Sequence, residues 1–203
     1  THVNFRWILD YSGGQITDWG GHHPDIAQWG MGTQYTGPIR VQNPRSKWST
    51  HPIYNTATEF YFENVYENGV KLIVQSGKDF GVTFNGTEGK VWSSRGKHTV
   101  EPESLKDEII GPDEIHLYES NDHFKNFIDC VISREEPIAP AEVAHRSITI
   151  AHLGNIAMML DKDLEWDPVN ERITNIPEAN EMLARPMREP WNKIYEEYKA
   201  PKA

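Results

Sequence analysis

The sequence predicts an α+β fold in which helices pack on one face of a large, predominantly antiparallel mixed sheet and leave the other face available for oligomerisation. Two observations support this fold class: a central stretch of strand-like residues with tight-turn signals, and the return of helical periodicity in the second half of the chain. The 203 residues, with seven tryptophans and seven phenylalanines, are enough for one sizeable core. We therefore treat residues 1–203 as a single domain.

The strand-like part of the chain contains two successive predicted hairpins. Asn68-Gly69 and Asn85-Gly86 are each typical of a tight turn between paired strands. The predicted strands are Val3–Leu9, Ile39–Gln42, Thr56–Tyr66, Val70–Gln75, Gly81–Phe84 and Lys90–Ser93. Together they predict an antiparallel sheet of five or more strands.

Three helices are predicted after the strands. Ser120 or Asn121 is expected to cap a helix that ends before Pro137 and packs its apolar face on the core. That face comprises Phe124, Phe127, Ile128 and Val131. A longer helix is predicted over Ala141–Leu160 and a short one over Pro177–Leu183.

Composition excludes several classes of function. The formal net charge of -10 argues against a nucleic-acid or anionic-membrane partner, because both need a concentrated basic surface. No apolar run approaches the roughly 20 residues that span a bilayer. Cys130 is the single cysteine, so no internal disulfide forms, and we expect it to be a buried packing residue.

The segment Gly13–Trp29 carries the candidate chemistry. On one continuous helix, at about 100° per residue, four side chains would share an arc of roughly 60°: Asp18, His22, Asp25 and Trp29. Histidine titrates near neutral pH, and a neighbouring carboxylate stabilises its protonated form, so the pair Asp18 and His22 suits proton transfer. The alternative is an ordinary surface contact one helical turn apart, worth only a few tenths of a kcal/mol.

The opposite side of the same helix has a composition typical of packing against a sheet. It carries Trp19, His23, Ile26 and Gly30. Gly20, Gly21 and Pro24 all weaken a helix, and Pro24 would crowd the preceding turn. Their presence beside two histidines indicates a backbone shaped around a site.

The pattern G-G-x-x-x-D-x-G-x-H-x-x-D, from Gly13 to Asp25, resembles the helix that opens the C-terminal domain of the Gfo/Idh/MocA family of oxidoreductases. Four further segments are similar to a secreted-bacterial-type branch of that family: FRWILDYSGG, NDHFKNFIDCVISREEPIAP, HRSITIAHLGNIAMML and ARPMREPW. The resemblance implies that Asp18 and His22 lie at the nicotinamide and the substrate. It makes His22 the acid/base, oriented by Asp18, and we expect His23 and Asp25 to contact the substrate.

Members of the family begin with a dinucleotide-binding Rossmann domain, marked by a glycine fingerprint and a later Glu-Lys-Pro motif. Neither motif occurs in these residues, since the glycines at 30, 32 and 37 and the run GTEGK have the wrong spacing. NAD or NADP is therefore expected in the complete enzyme and no cofactor in this chain alone. The resemblance also implies a homo-oligomer built through the open sheet face.

The expected function is that of the substrate-binding and oligomerising domain of an NAD(P)-dependent oxidoreductase acting on a sugar, a polyol or a sugar derivative. Two alternatives stay open at this point. One is a stand-alone carbohydrate-binding or scaffold module without dehydrogenase activity. The other is a metal-dependent sugar isomerase or hydrolase that uses Asp18, His22 and Asp25 as ligands, with His23 beside them. The compartment, cytoplasmic or periplasmic in a bacterium, also stays open.

Overall fold

Two antiparallel sheets organise the computed structural model, which describes residues 2–77 and 80–199. The strands are β1 (Arg40–Trp48), β2 (Ala57–Val65), β3 (Lys71–Gln75), β4 (Val82–Asn85), β5 (Lys90–Ser94), β6 (Lys97–Glu101), β7 (Leu164–Asp167) and β8 (Arg172–Ile173). The larger sheet has the order β3-β2-β1-β7-β8 and the smaller one the order β4-β5-β6. The predicted α+β class is confirmed, but the two predicted hairpins belong to different sheets.

Within the described residues, five α-helices accompany the strands. They are α1 (Gln15–Gly20), α2 (His23–Met31), α3 (His123–Ser133), α4 (Ala141–Leu160) and α5 (Trp191–Lys199), with 3-10 helices at Asn4–Trp7, Glu103–Asp107 and Pro177–Met182. Helix α4 has the predicted bounds. Among the described helices, none combines the length and the apolar character needed to cross a membrane.

Helix α4 forms the centre of the core. Its Ile150 and Leu153 are fully buried, and it packs on Val41 and Phe62 of the large sheet. A Cβ atom on Gly154 would lie only 2.2 Å from Cζ of Phe62, so the helix approaches the sheet at a position where only glycine fits. Helix α4 also packs against α1 and α2.

The strand predictions succeed in the middle of the chain and fail at its start. Residues 3–9 form no strand: a 3-10 helix lies there instead, and it turns Arg6 toward Asp18. Strand β1 is longer than predicted, because an irregularity in its pairing between Gln42 and Arg45 accommodates the left-handed Asn43 (φ 54) and the following proline. Strands β6, β7 and β8 were not predicted.

The extent of helix α3 is close to the prediction, but its surroundings differ from those predicted. Its N-cap is Asp122 and not the predicted Ser120 or Asn121: Oδ1 of Asp122 accepts a hydrogen bond from the Lys125 N–H at 2.9 Å. Its apolar face is exposed rather than packed on the core, as shown by Phe124, whose exposed fraction is 84%. Cys130 is half-buried, not fully buried, and its Sγ donates to the carbonyl of Glu136 at 3.7 Å. Periodicity predicts an apolar face but not what covers it.

Candidate functional site

The motif segment forms two helices rather than one. Helix α1 ends at Gly20 and α2 begins at His23, with Gly21 and His22 at the joint between them. Pro24 lies in the first turn of α2, where its missing N–H costs no helical hydrogen bond. The assumption of a single helix face for Asp18, His22 and Asp25 is therefore wrong.

Helix α1 reaches its position through a glycine. A Cβ atom on Gly20 would lie 2.7 Å from Cβ of Ala151 in α4. This close approach explains why a poor helix former occurs in the motif: α1 ends against the long helix, and the chain then turns directly into α2. The break places the His22 side chain in an exposed position at the joint.

Asp18 pairs with a residue that sequence analysis did not single out. Nη1 of Arg6 donates to both carboxylate oxygens of Asp18, at 3.0 Å and 2.9 Å. Both side chains are partly buried. Within residues 2–77 and 80–199 no hydrogen bond joins Asp18 to His22. Arg6 lies in the segment FRWILDYSGG that supported the family resemblance, but no spacing rule connects it with Asp18.

Asp25 faces the long helix. The hydroxyl of Ser147 in α4, which is buried, donates to Oδ1 of Asp25 at 2.6 Å. This contact ties the first turn of α2 to α4. The same contact fixes the position of the Asp25 side chain in the described structure.

His23 belongs to an aromatic stack. The Trp19 ring stacks on His23 with ring centroids 5.3 Å apart and on Phe80 with centroids 4.8 Å apart, and the Arg95 guanidinium lies 5.2 Å from the Trp19 centroid. Burial lowers the pKa of His23, and the charges of Arg95 and His22 lower it further. Both causes favour the neutral imidazole, and its buried Nε2 has no hydrogen-bond partner among the described residues.

A cleft of ≈ 750 Å³ lies beside this stack, between the two sheets. Trp19 and His23 line it, together with the residues of β3 and most of β4, whereas Asp18, His22 and Asp25 do not. Of the four predicted site residues, only His23 reaches the cleft. His22 does not line the cleft itself, but its ring makes an edge contact with the lining residue Trp19, with ring centroids 6.0 Å apart.

The chain matches a family model described as "Oxidoreductase family, C-terminal alpha/beta domain" (GFO_IDH_MocA_C2) over residues 1–193. The chain belongs to the Gfo/Idh/MocA oxidoreductase family. No curated protein matches the chain significantly. The match confirms the resemblance inferred from the motif and covers every segment on which it rested.

Oxidoreductases of the Gfo/Idh/MocA family typically use NAD(P) in the full enzyme. In the described part of this chain, the glycine clusters do not form a phosphate cradle. Gly30 and Gly32 lie at the end of α2, and Gly86 closes the tight β4–β5 turn through its N–H to the carbonyl of Gly89 at 2.8 Å. A dinucleotide site needs a glycine turn from a strand into a helix N-terminus. We therefore assign no residue of this domain to the nucleotide phosphates.

The proposed metal ligands are not gathered into a site. No group of three or more His, Cys, Asp or Glu side chains within residues 2–77 and 80–199 is arranged to hold a metal ion. The reason is local: Asp18 is engaged by Arg6 and Asp25 by Ser147, on different sides of the helix break.

Proposed function

We propose that this Gfo/Idh/MocA domain provides the acid/base histidine and part of the substrate site of an NAD(P)-dependent oxidoreductase that acts on a sugar, a polyol or a sugar-derived alcohol. The observation that carries the proposal is the exposed His22 at the α1–α2 joint, in the motif that matches the family. An exposed imidazole at a fixed backbone position can reach a substrate bound outside the domain. Proton exchange with an alcohol is the chemistry that suits it.

Oxidation of a secondary alcohol removes a hydride from carbon and a proton from the hydroxyl. The nicotinamide, held by a nucleotide-binding domain of the complete enzyme, supplies the hydride acceptor. His22 takes the hydroxyl proton as the C–O single bond becomes a carbonyl, and it returns that proton in the reverse direction. In this proposal Asp18 orients His22 in the complete enzyme, and Arg6 fixes the position of the Asp18 carboxylate.

The two other predicted substrate residues take different parts in this proposal. The lowered pKa favours the neutral form of His23, and its unpaired Nε2 offers one hydrogen bond to a substrate group at the cleft. Asp25 acts as a positioning residue, because Ser147 holds it against α4 and thereby sets the start of α2.

The homo-oligomer is proposed to form through the outer face of the large sheet. Glu63 of β2 lies on that face and accepts hydrogen bonds from Gln42 and Tyr61, at 2.9 Å each, and from Asn43 at 3.0 Å. These bonds lower the pKa of Glu63 to about 2. A carboxylate that is already satisfied can be covered by a second subunit without leaving an unpaired charge. Light scattering at micromolar concentration tests this: a monomer contradicts it.

The enzyme proposal is tested with the complete protein. A panel of sugars, polyols and uronic acids is assayed with NAD and with NADP, and nicotinamide reduction is followed by absorbance. We expect turnover with at least one member and its loss in His22→Ala. If sugar binding occurs without nucleotide and no member of the panel is oxidised, the stand-alone carbohydrate-binding function replaces the proposal.

A further inference from the structure

The β5–β6 hairpin carries an arginine at a turn position that favours other residues. The two strands close on each other at Ser94 and Lys97, which leaves a loop of two residues. Both loop residues, Arg95 and Gly96, have positive φ values, of 36° and 77°. Two positive φ values mark a type I′ turn, whose first position prefers asparagine, aspartate or glycine because other side chains strain the backbone there. The turn itself therefore gives no reason for an arginine at position 95.

The Arg95 side chain reaches from the small sheet to the motif helix α1. Its guanidinium carbon lies 5.2 Å from the centroid of the Trp19 ring. The same indole stacks on His23, with ring centroids 5.3 Å apart, and makes an edge contact with His22, with centroids 6.0 Å apart. One aromatic side chain thus brings together a cation from the small sheet and both histidines of the motif.

The N–H donors of this guanidinium are not used by the described part of the chain. No ion pair or hydrogen bond joins the Arg95 side chain to residues 2–77 and 80–199. The N–H groups of a guanidinium lie in its plane and form a rigid fork, which stays accessible when the flat face packs on an aromatic ring. That fork matches two oxygens of a carboxylate or a phosphate.

The surrounding charges favour an anion at this position. None of the described residues that line the adjacent cleft is an aspartate or a glutamate, although the chain has a net charge of -10. The lining residue Lys71 is paired with Glu63 at 3.4 Å, so its charge is already balanced. Asp18 of the motif is held by Arg6. An anion beside Arg95 therefore meets an unpaired cation and no carboxylate from the described lining.

A second group beside Arg95 can bind the same anion without a charge of its own. Nε2 of His23 is buried and has no hydrogen-bond partner among the described residues. When this nitrogen carries the imidazole proton, the neutral ring donates one hydrogen bond. The interaction needs no imidazolium, so it is compatible with the lowered pKa of His23.

We propose that the substrate carries an anionic group, a carboxylate or a phosphate, which the Arg95 guanidinium and the neutral His23 ring bind beside Trp19. The inference rests on the proposed function and narrows its substrate class to anionic sugars and sugar derivatives. Arg95 is then the residue that determines this preference. Because His22 also contacts the Trp19 ring, the group that is bound and the hydroxyl that reacts can belong to one substrate molecule.

Binding of matched sugar pairs to the complete protein tests the proposal. The members of a pair share one ring and differ in one group: D-glucuronate is compared with D-glucose, D-galacturonate with D-galactose, and glucose 6-phosphate with glucose. Calorimetry should show that the anionic member of at least one pair binds about tenfold more tightly, the scale of a charge-assisted hydrogen bond. The uronates and the phosphate ester distinguish the two kinds of anion.

Substitution of Arg95 by asparagine removes the cation and keeps the hairpin, because asparagine is favoured at this turn position. In Arg95→Asn the two members of a pair should bind within about a factor of two of each other. Arg95→Lys keeps the charge but not the fork, so it should retain part of the preference.

Arg134→Asn is the matched control for the loss of the Arg95 charge. Arg134 is also an exposed arginine with a left-handed backbone (φ 67), but it ends α3 and does not line the cleft. The control should keep the wild-type preference for the anionic sugar.

An NMR titration of His23 supplies a readout that does not depend on turnover. A bound anion offsets the Arg95 charge that opposes protonation of the imidazole, so the anionic sugar should raise the pKa of His23 in the wild-type protein. The neutral member of the pair should leave this pKa unchanged at the same ionic strength, and Arg95→Asn should abolish the difference.

Two outcomes overturn the inference. One is that the anionic member binds no more tightly than the neutral member in any pair. The other is an anionic preference that Arg95→Asn leaves intact, because the anion then binds elsewhere. If Arg95→Asn does not fold, Arg95→Lys and the titration of the wild-type protein decide.

The proposed function is judged separately in the same experiment. Oxidation of neutral sugars without an anionic preference supports the enzyme and refutes the inference. An anionic preference that depends on Arg95, without oxidation of any sugar, supports the inference and contradicts the enzyme.

Discussion

One nitrogen of Arg6 holds both carboxylate oxygens of Asp18, at 2.9 Å and 3.0 Å. The pair joins the first 3-10 helix to α1 and fixes the only carboxylate in α1. Because the pair is partly exposed, its effect on stability is small, and its effect on the position of Asp18 is the larger one.

We expect Arg6→Ala to lower turnover of the complete enzyme by about 10- to 100-fold, because a displaced Asp18 carboxylate no longer orients His22. The free energy of unfolding should change by no more than about 1 kcal/mol. Steady-state kinetics and urea denaturation measure the two effects. Lys47→Ala is the matched control, since it breaks the exposed Lys47–Glu59 pair between β1 and β2, outside the motif. Equal turnover in both variants would exclude a positioning role for Arg6.

His22→Ala should lower turnover by roughly 10²- to 10⁴-fold, the usual contribution of a general acid/base. Substrate affinity should change far less, because the proton is transferred only in the chemical step. His51→Ala provides the control: His51 is also exposed, but its Nδ1 accepts from the backbone of a loop, from the Ile53 N–H at 3.1 Å. Turnover within a factor of two of wild type in His22→Ala would reject the assigned role.

Gly154→Ala should destabilise the domain by about 1–3 kcal/mol, because the new methyl group meets the Phe62 ring. Phe62→Leu removes the facing ring atoms, so the double variant should lose less stability than the sum of the two single variants. Chemical denaturation of the four proteins measures the coupling. Strict additivity would show that the two residues do not constrain each other.

Acid should weaken the domain through Glu63. Its pKa is lowered in the folded protein, so the deprotonated form stabilises the fold above the ordinary pKa, and this contribution disappears as the pH falls from about 4.5 to about 2. Urea midpoints at several pH values in this window measure the loss. Glu63→Gln should reduce the pH dependence, whereas Glu59→Gln, at an exposed position, should preserve it.

Arg95→Gln should raise the pKa of His23, because a positive charge that opposes imidazole protonation is removed. The pKa should still lie below its ordinary value, since burial is the larger cause. NMR titration of the His23 ring protons measures both effects. An unchanged pKa would show that the Arg95 charge does not reach the ring.

Local signals predicted much of this fold. Asn68-Gly69 and Asn85-Gly86 define their hairpins because tight turns demand those residue types, and α4 has the predicted bounds because its apolar residues and preceding proline are local features. The assignment of the two hairpins to separate sheets depends on contacts distant in sequence, such as the packing of α2 on β4, and no local pattern encodes it.

The site was predicted in composition but not in geometry. Gly20, Gly21 and Pro24 signalled an unusual backbone, yet the helical wheel still assumed one continuous helix. Arg6 was missed because a salt bridge between two separate segments produces no periodic pattern in the sequence. Trp19 and His23 were expected to pack against a sheet, and they instead line the cleft between two sheets.

The close approaches of Gly20 to Ala151 and of Gly154 to Phe62 lie about one turn apart on neighbouring faces of α4. Together with the Ser147–Asp25 contact, they hold α1 and α2 against α4, which packs directly on the large sheet. Any change in the sheet core that tilts α4 is therefore transmitted to His22 through these helix contacts, without passing through a flexible loop. Substitutions far from the reacting groups, and conservative in size, are therefore expected to alter catalysis in proportion to how far they displace α4.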